Sequence, residues 1–248
     1  MSEVKSAPPP WKLKGSAWMF VLSGLPKDAE FPPGFAAPNE AEALVQGGKF
    51  IGGQGLVQLV SYTESPVGPY DELIYIPGRW SYEHTDPAFR ITRIYVSSKA
   101  STENGRRNWN IPKHIAKFDY KPGPDGTTTF SVTQPDATEP FFKASIRPIP
   151  IISRLSIPST SKLLGQYFSL MQPPLPPGET SEEVATNKWA GLTPIMSGQT
   201  RIVKMLPGFE DGTVGNGVDF PKVRPWSTAS MMQHVILDFG IPTLSDTV

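Results

Sequence analysis

Two short stretches hold the side chains of this sequence whose types and spacing best suit covalent or proton chemistry. The first, "NGRRNWNIPKHIAKFDY" (Asn104–Tyr120), gathers two arginines, a tryptophan, a proline and Lys113 just ahead of a strand-like run. Ile111, Ile115 and Ala116 make an apolar setting that disfavours an ammonium ion and leaves a neutral amine, a nucleophile toward carbonyl carbon. Arg106 and Arg107 add like charge that works in the same direction, or bind a carboxylate. The second stretch, "VSYTESPVGPYDELIYIPG" (Val60–Gly78), offers an acid. If the strand entering it keeps its period of two, Gln58, Val60, Tyr62 and Glu64 share one face, and an inward Glu64 has to be paired or used. Each stretch also has a plainer reading. Most lysines are solvated, and the strand can end near Ser61, leaving Glu64 in the turn before Pro66.

Composition narrows the chemistry further. The chain of 248 residues has no cysteine, which removes thiolate nucleophiles, disulfides and cysteine metal sites. Its three histidines, His84, His114 and His234, are isolated and form no ligand pair, so no metal is expected. "GGQGLVQL" fails as a dinucleotide loop, because Gln58 stands at the last glycine position and a strand follows. No P-loop and no G-x-S-x-G elbow is present. The 23 basic residues balance 23 acidic ones, so no bulk pull toward nucleic acid or an anionic membrane is expected. The opening "MSEVKSAPPPWK" has no apolar signal core, and no run reaches the roughly 20 apolar residues of a spanning helix. The expectation is a soluble, cytoplasmic protein.

The elements that must position these groups are mostly short strands. With 28 prolines and 22 glycines the chain is interrupted too often for long helices. "GLVQLVSYTE", "DELIYIPGRW", "FRITRIYVSS", "HIAKFDY", "TTTFSVTQ", "FFKASIRPI" and "TRIVKML" are rich in β-branched and aromatic residues and bounded by Gly or Pro. "KPGPDG" predicts a hairpin turn with Asp-Gly supplying the positive φ. Asn39–Phe50 predicts a short helix capped by Asn39, with an apolar stripe of Ala41, Leu44 and Val45 and a stop at Gly47-Gly48. A second helix is expected from Thr180 or Ser181, after the proline-rich connector. A third is expected in "STASMMQHVILDFG", with Met231, Val235 and Asp238-Phe239 at turn spacing. Residues 1–10 read as a flexible arm and 11–248 as a single, mainly β domain, barrel-like or sandwich-like.

"SYTESPVGPYDELIYIPG", "RIYVSS" and "GRRNWNIPKHIAKF" together resemble the acetoacetate decarboxylase-like superfamily, and in particular its fungal members. "STASMMQHVILDFGIP" resembles the C-terminal segment of that family. The likeness runs from about Tyr62 to the C-terminus, and loosely from Pro10. It implies a closed, cone-like β-barrel with a few peripheral helices and an interior pocket. It also implies carbon–carbon lyase chemistry on a β-keto acid through a lysine imine, with no cofactor. By that resemblance Lys113 is the Schiff-base lysine and Glu64 the active-site acid, with Tyr62, Arg106 and His114 in support. The partner implied is a small keto substrate, and a homo-oligomer is expected. His114 stands where the family has a second lysine, Ser16 where it has an N-terminal arginine, and a glutamate upstream of "YTE" has no match. Those departures point away from acetoacetate itself. The same imine chemistry also serves an aldol condensation and dehydration, and a barrel that binds or cyclises an apolar metabolite without a covalent bond is a third possibility.

Overall fold

The computed structural model describes residues 4–248, the Leu164 side chain excepted. Its strands in chain order are β1 (Trp11–Leu25), β2 (Lys49–Glu64), β3 (Tyr70–Ile76), β4 (Arg79–Ser81), β5 (Ala88–Phe89) and β6 (Arg93–Val96). Next come β7 (Lys113–Ile115), β8 (Lys117–Pro122), β9 (Thr128–Thr133), β10 (Phe142–Pro148), β11 (Ile157–Thr160) and β12 (Leu170–Gln172). The last are β13 (Trp189–Leu192), β14 (Ile195–Pro207), β15 (Pro225–Phe239) and β16 (Thr243–Ser245). Two α-helices, α1 (Ala41–Val45) and α2 (Lys99–Trp109), and two 3-10 turns, Ile152–Arg154 and Ser161–Phe168, complete the set.

The strands join one mixed sheet whose hydrogen-bonded path runs from β16 to β8, with β3, β6, β7 and β11 branching from it. Its spine is the run β2-β1-β15-β14, where long antiparallel strands pair along most of their length. Both faces of this spine are apolar, so both are covered. Trp18, Phe20, Val57, Leu59, Leu73 and Tyr75 point to one side and pack with Phe130, Phe142 and Phe220. Leu13, Val60, Tyr62, Ile74, Ile94 and Leu237 point to the other, joined by Trp109 of α2. Alternation along each strand assigns its residues to the two sides.

Several expectations need correction. Among the described residues the strands form a branched sheet whose path does not return on itself, so hydrogen bonds do not close the expected barrel. "STASMMQHVILDFG" is strand β15, not a helix. A bulge there sets four residues of β15 (Met232 to Val235) against three of β1 (Gly15 to Ala17), with His234 at φ 52°. The extra residue puts Met232 and Val235 three apart on one face, and Ala229, buried on the opposite face, stands three before Met232, so the run imitates a helix. No helix follows Thr180. Helix α1 is shorter than expected, begins after Glu40 without a side-chain cap, and buries only Leu44; the Asn39 amide instead donates to the Pro177 carbonyl. Within residues 4–10, the Ala7 amide donates to Asn104 Oδ1 at 2.7 Å and Asn108 donates to the Ala7 carbonyl at 2.8 Å. The first three residues of the expected arm lie outside the described ones. The β8–β9 hairpin forms as expected, with Gly126 at φ 76°.

Candidate active site

Lys113 is delivered by a turn that the local sequence builds. Ser98 accepts from the Ser101 amide to start α2, and Asn110, in the left-handed region at φ 55°, ends it. The chain then straightens into β7, which lies parallel to β6 with Lys113 beside Ile94 and His114 beside Tyr95. In an extended strand consecutive side chains diverge. Lys113 therefore turns to the Ile94 side of the sheet, and His114 to the other.

Lys113 is buried, with 4% of the residue exposed. Its Nζ donates to Glu72 Oε2 at 2.8 Å and to Ser101 Oγ at 3.0 Å, and lies 5.2 Å from the centre of the Tyr70 ring. Helix α2 crosses the lysine stem closely. A Cβ on Gly105 would sit 2.6 Å from Lys113 Cδ, which accounts for glycine at that helical position. Tyr62 donates its hydroxyl to Glu72 Oε1 at 3.4 Å. Burial, reinforced by the charge of Glu72, pushes the Tyr62 and Tyr70 phenols well above the ordinary tyrosine value, so both keep their protons as donors.

These groups border a cavity of about 380 Å³. Leu13, Ile74, Ile91, Trp109, Met232 and Leu237 are among its apolar lining, and among the described residues Glu72 and Lys113 are the only acidic and basic ones that touch it. The rest of the polar lining consists of Tyr62, Tyr70, Gln58, Ser159, Thr160, Ser161 and Thr200. A ligand here meets one amine, one carboxylate, a few hydroxyls and otherwise hydrocarbon. Among the described residues, no group of three His, Asp or Glu side chains is arranged to hold a metal.

The other residues singled out in the sequence lie elsewhere. Strand β2 does run through Glu64, but a bulge at Thr63 sets Glu64 opposite Lys14 while Tyr62 remains opposite Gly15. The alternation breaks there, and Glu64 turns outward, 65% exposed and paired with Lys14 at 2.8 Å. Arg106 is fully buried away from the cavity, held by Glu40 and by the carbonyls of Val184 (3.0 Å) and Pro176 (2.8 Å). Arg107 pairs with Glu103 on the surface of α2. His114 bonds Glu183 through Nδ1 at 2.8 Å and Glu40 through Nε2 at 3.0 Å. Burial alone would lower the imidazole, but the bonds and charges of Glu183 and Glu40 outweigh it and raise His114 above its ordinary value. Burial would likewise raise the two carboxyls, yet His114, with Arg106, holds both below the usual range. Ser16 pairs with Ser61 in the β1–β2 ladder and supplies no cation.

The carboxylate that meets Lys113 is Glu72, which sequence reasoning passed over. The signal was present in "YDELIYI", where Tyr70, Glu72, Ile74 and Ile76 alternate onto one face, just as Tyr62 and Glu64 were expected to do in β2.

No family model matches the chain. An acetoacetate decarboxylase-like enzyme from Sphingomonas wittichii RW1 superposes with a TM-score of 0.59 at 10% identity, over 98% of this chain and 95% of that one. Acetoacetate decarboxylase from Legionella pneumophila gives 0.58 at 11% identity, over 96% and 88%. The chain has the acetoacetate decarboxylase-like fold. The enduracididine biosynthesis enzyme MppR, solved with the condensation product of pyruvate and imidazole 4-carboxaldehyde, shares it too, with a TM-score of 0.55 at 16% identity over 98% and 92% of the two chains. In sequence, the chain is 32% identical over 114 residues to Protein NEOXANTHIN-DEFICIENT 1 of Arabidopsis thaliana, and similarly to its counterpart in Solanum lycopersicum. The Arabidopsis match covers 45% of this chain and 37% of the relative, so it spans little more than a third of that protein's length. These curated matches are plant proteins, and the expected likeness to fungal members finds no support among them.

Proposed function

We propose that the chain is a lysine-imine enzyme, in which Lys113 condenses with the carbonyl of a large, mostly apolar keto compound. The observation that supports this reading is the setting of one amine, which is buried, meets a single carboxylate at 2.8 Å, and opens on a cavity lined by hydrocarbon. In the first step Glu72 takes a proton from the ammonium across that contact, leaving a neutral amine and a neutral carboxyl. The amine adds to the carbonyl carbon, and a second proton passes from its nitrogen to the new alkoxide to give the carbinolamine. Glu72 then returns the proton to the carbinol oxygen, which leaves as water, and a protonated imine remains beside the restored carboxylate. Tyr62 and Tyr70 keep their hydroxyls as donors near Glu72 throughout.

The fate of the imine depends on the substrate. If the substrate carries a carboxylate β to the imine carbon, the imine accepts the electron pair of the breaking bond as carbon dioxide leaves. Protonation of the enamine and hydrolysis then release the ketone and Lys113. The cavity favours substrates of low charge, because Lys113 is the only cation that lines it among the described residues and is already paired. That feature, with the condensation product held by MppR, favours a second outcome for the same imine, in which the enamine attacks an aldehyde and a new carbon–carbon bond forms.

The test is incubation with β-keto acids, pyruvate and long-chain ketones, followed by borohydride reduction and intact-mass measurement. A substrate-sized adduct is expected in the wild type and in Glu64→Ala, and is expected to vanish in Lys113→Ala. An adduct that persists in Lys113→Ala, or none across the panel, overturns the reading. Carbon dioxide release separates decarboxylation from condensation.

A further inference from the structure

Residues 149–168 run along the edge of β14, and their surface differs from the rest. Six of the twelve exposed large apolar side chains among the described residues lie within 151–167, including Leu155 at 65% and Leu163 at 87% exposure. Charge is segregated here as well. From Phe141 to Phe168 the sequence carries Lys143, Arg147, Arg154 and Lys162 and no acidic residue, and β14 adds Arg201 and Lys204 and again no acid. A chain of zero net charge thus concentrates cations beside its most apolar surface, which a whole-chain charge balance does not reveal.

The strand pairings connect this surface to the cavity. β11 pairs with β14 so that Ile157 lies opposite Thr200, and β10 pairs with β14 so that Arg147 lies opposite Lys204. Opposed residues share a face, as do alternate residues of one strand. Ile157, Thr200, Ile202, Lys204 and Arg147 therefore stand on one face of the sheet. Thr200 also lines the cavity, as do Ser159, Thr160 and Ser161 of the same stretch. The hollow interior leads to a rim that is apolar and fringed with positive charge.

We propose that this rim docks on the surface of an anionic lipid bilayer and sets the cavity against it. The apolar side chains enter the headgroup–acyl boundary, and the arginines and lysines meet lipid phosphates. The surface of a bilayer is the partner this composition fits; an apolar patch for another protein does not call for a predominantly basic fringe. No helix among the described residues is long and apolar enough to cross a membrane, so the attachment proposed is peripheral. An apolar ligand of the cavity is itself concentrated in lipid, and the docked orientation presents the cavity to that source. The inference takes the cavity from the proposed function but does not use the chemistry assigned to Lys113.

The test is co-sedimentation of the full chain with vesicles of phosphatidylcholine alone and of phosphatidylcholine with phosphatidylglycerol. Wild type is expected to bind the anionic vesicles about tenfold more tightly than the neutral ones, and less so in high salt. A Leu155→Ser/Leu163→Ser variant, altered only at exposed positions, is expected to lose about tenfold on both vesicles. An Arg154→Glu/Lys162→Glu variant is expected to lose the anionic preference alone. Lys113→Ala is expected to bind vesicles as wild type does, so that loss of the adduct and loss of docking are read separately. Wild type left in the supernatant with anionic vesicles, or undiminished binding by the apolar variant, overturns the proposal. So does a wild-type dimer, seen by sedimentation velocity, that the apolar variant dissolves without any vesicle binding, since the patch is then an interface between copies.

Discussion

Lys113 and His114 are consecutive residues of one three-residue strand, and they finish in opposite electrostatic situations. His114 is enclosed by Glu40 and Glu183, and Glu40 is also held by Arg106, so every charge in that group has a partner. None of the four lines the cavity. Lys113 has one carboxylate and one hydroxyl, and beyond them the hollow apolar space. Both sites bury charge, so burial of charge alone distinguishes nothing. The difference is that one group is matched within itself, away from the cavity, while the other leaves a direction in which a further molecule can approach. A closed ionic group can only hold structure together, whereas an open one can also exchange a proton or a bond.

Four experiments probe that contrast. Removing Arg106 should have the largest effect on folding. Arg106→Met leaves the buried Glu40 with His114 alone and is expected to cost about 3–5 kcal/mol in urea unfolding, while any protein that remains folded still forms the Lys113 adduct. A loss of adduct in the folded fraction would show that the two groups are coupled. Glu72→Gln removes the proton acceptor but keeps a hydrogen-bonding side chain, and is expected to slow adduct formation about a hundredfold or more in single-turnover trapping. Unchanged kinetics would transfer that role from Glu72 to another group. Gly105→Ala improves local helix propensity yet places a methyl group against the lysine stem. It is expected to slow trapping on the order of tenfold with little change in the unfolding midpoint. A variant that is unaffected would show that the lysine has room to move.

The smallest effect is the pH dependence of the closed group. The folded-state value of His114 is raised, so its contribution is complete below the ordinary histidine value and fades as pH climbs through the raised one. Glu40 and Glu183 are held low, so their contributions are complete above the ordinary glutamate value and fade as pH falls through the lowered ones. The group should stabilise most between about pH 4.3 and 6.5. The difference in urea midpoint between wild type and His114→Gln should shrink above that window; a flat difference across it would rule out the charged imidazole.

Most strands could be read from the sequence, because runs such as "TTTFSVTQ" and "FFKASIRPI" alternate cleanly between a buried and an open side. What failed was legibility at irregular points. The bulge in β15 set Met232 and Val235 three apart on one face, with Ala229 buried on the other, and the bulge at Thr63 turned Glu64 outward at the end of an otherwise regular strand. Helix α2 was missed for a different reason. Its buried side consists of Ser101, Thr102, Asn104, Gly105 and Arg106 as well as Trp109, so it has no apolar stripe to find. Lys113 was singled out by its apolar neighbours together with the family resemblance of its segment, and it is buried at the cavity. Its partner was not singled out, because the choice between Glu64 and Glu72 depends on which strand passes the lysine, a fact of tertiary pairing.

The closed ionic group has one more consequence, for the alignment of β7. That strand is only three residues long, and its pairing with β6 alone is too brief to hold it against sliding. A slip of one position would bring the imidazole round to the hollow side and swing the amine into the paired glutamates. By anchoring His114 between Glu40 and Glu183, the protein pins the strand like a peg in a slot, and its neighbour is left aimed the only way that remains.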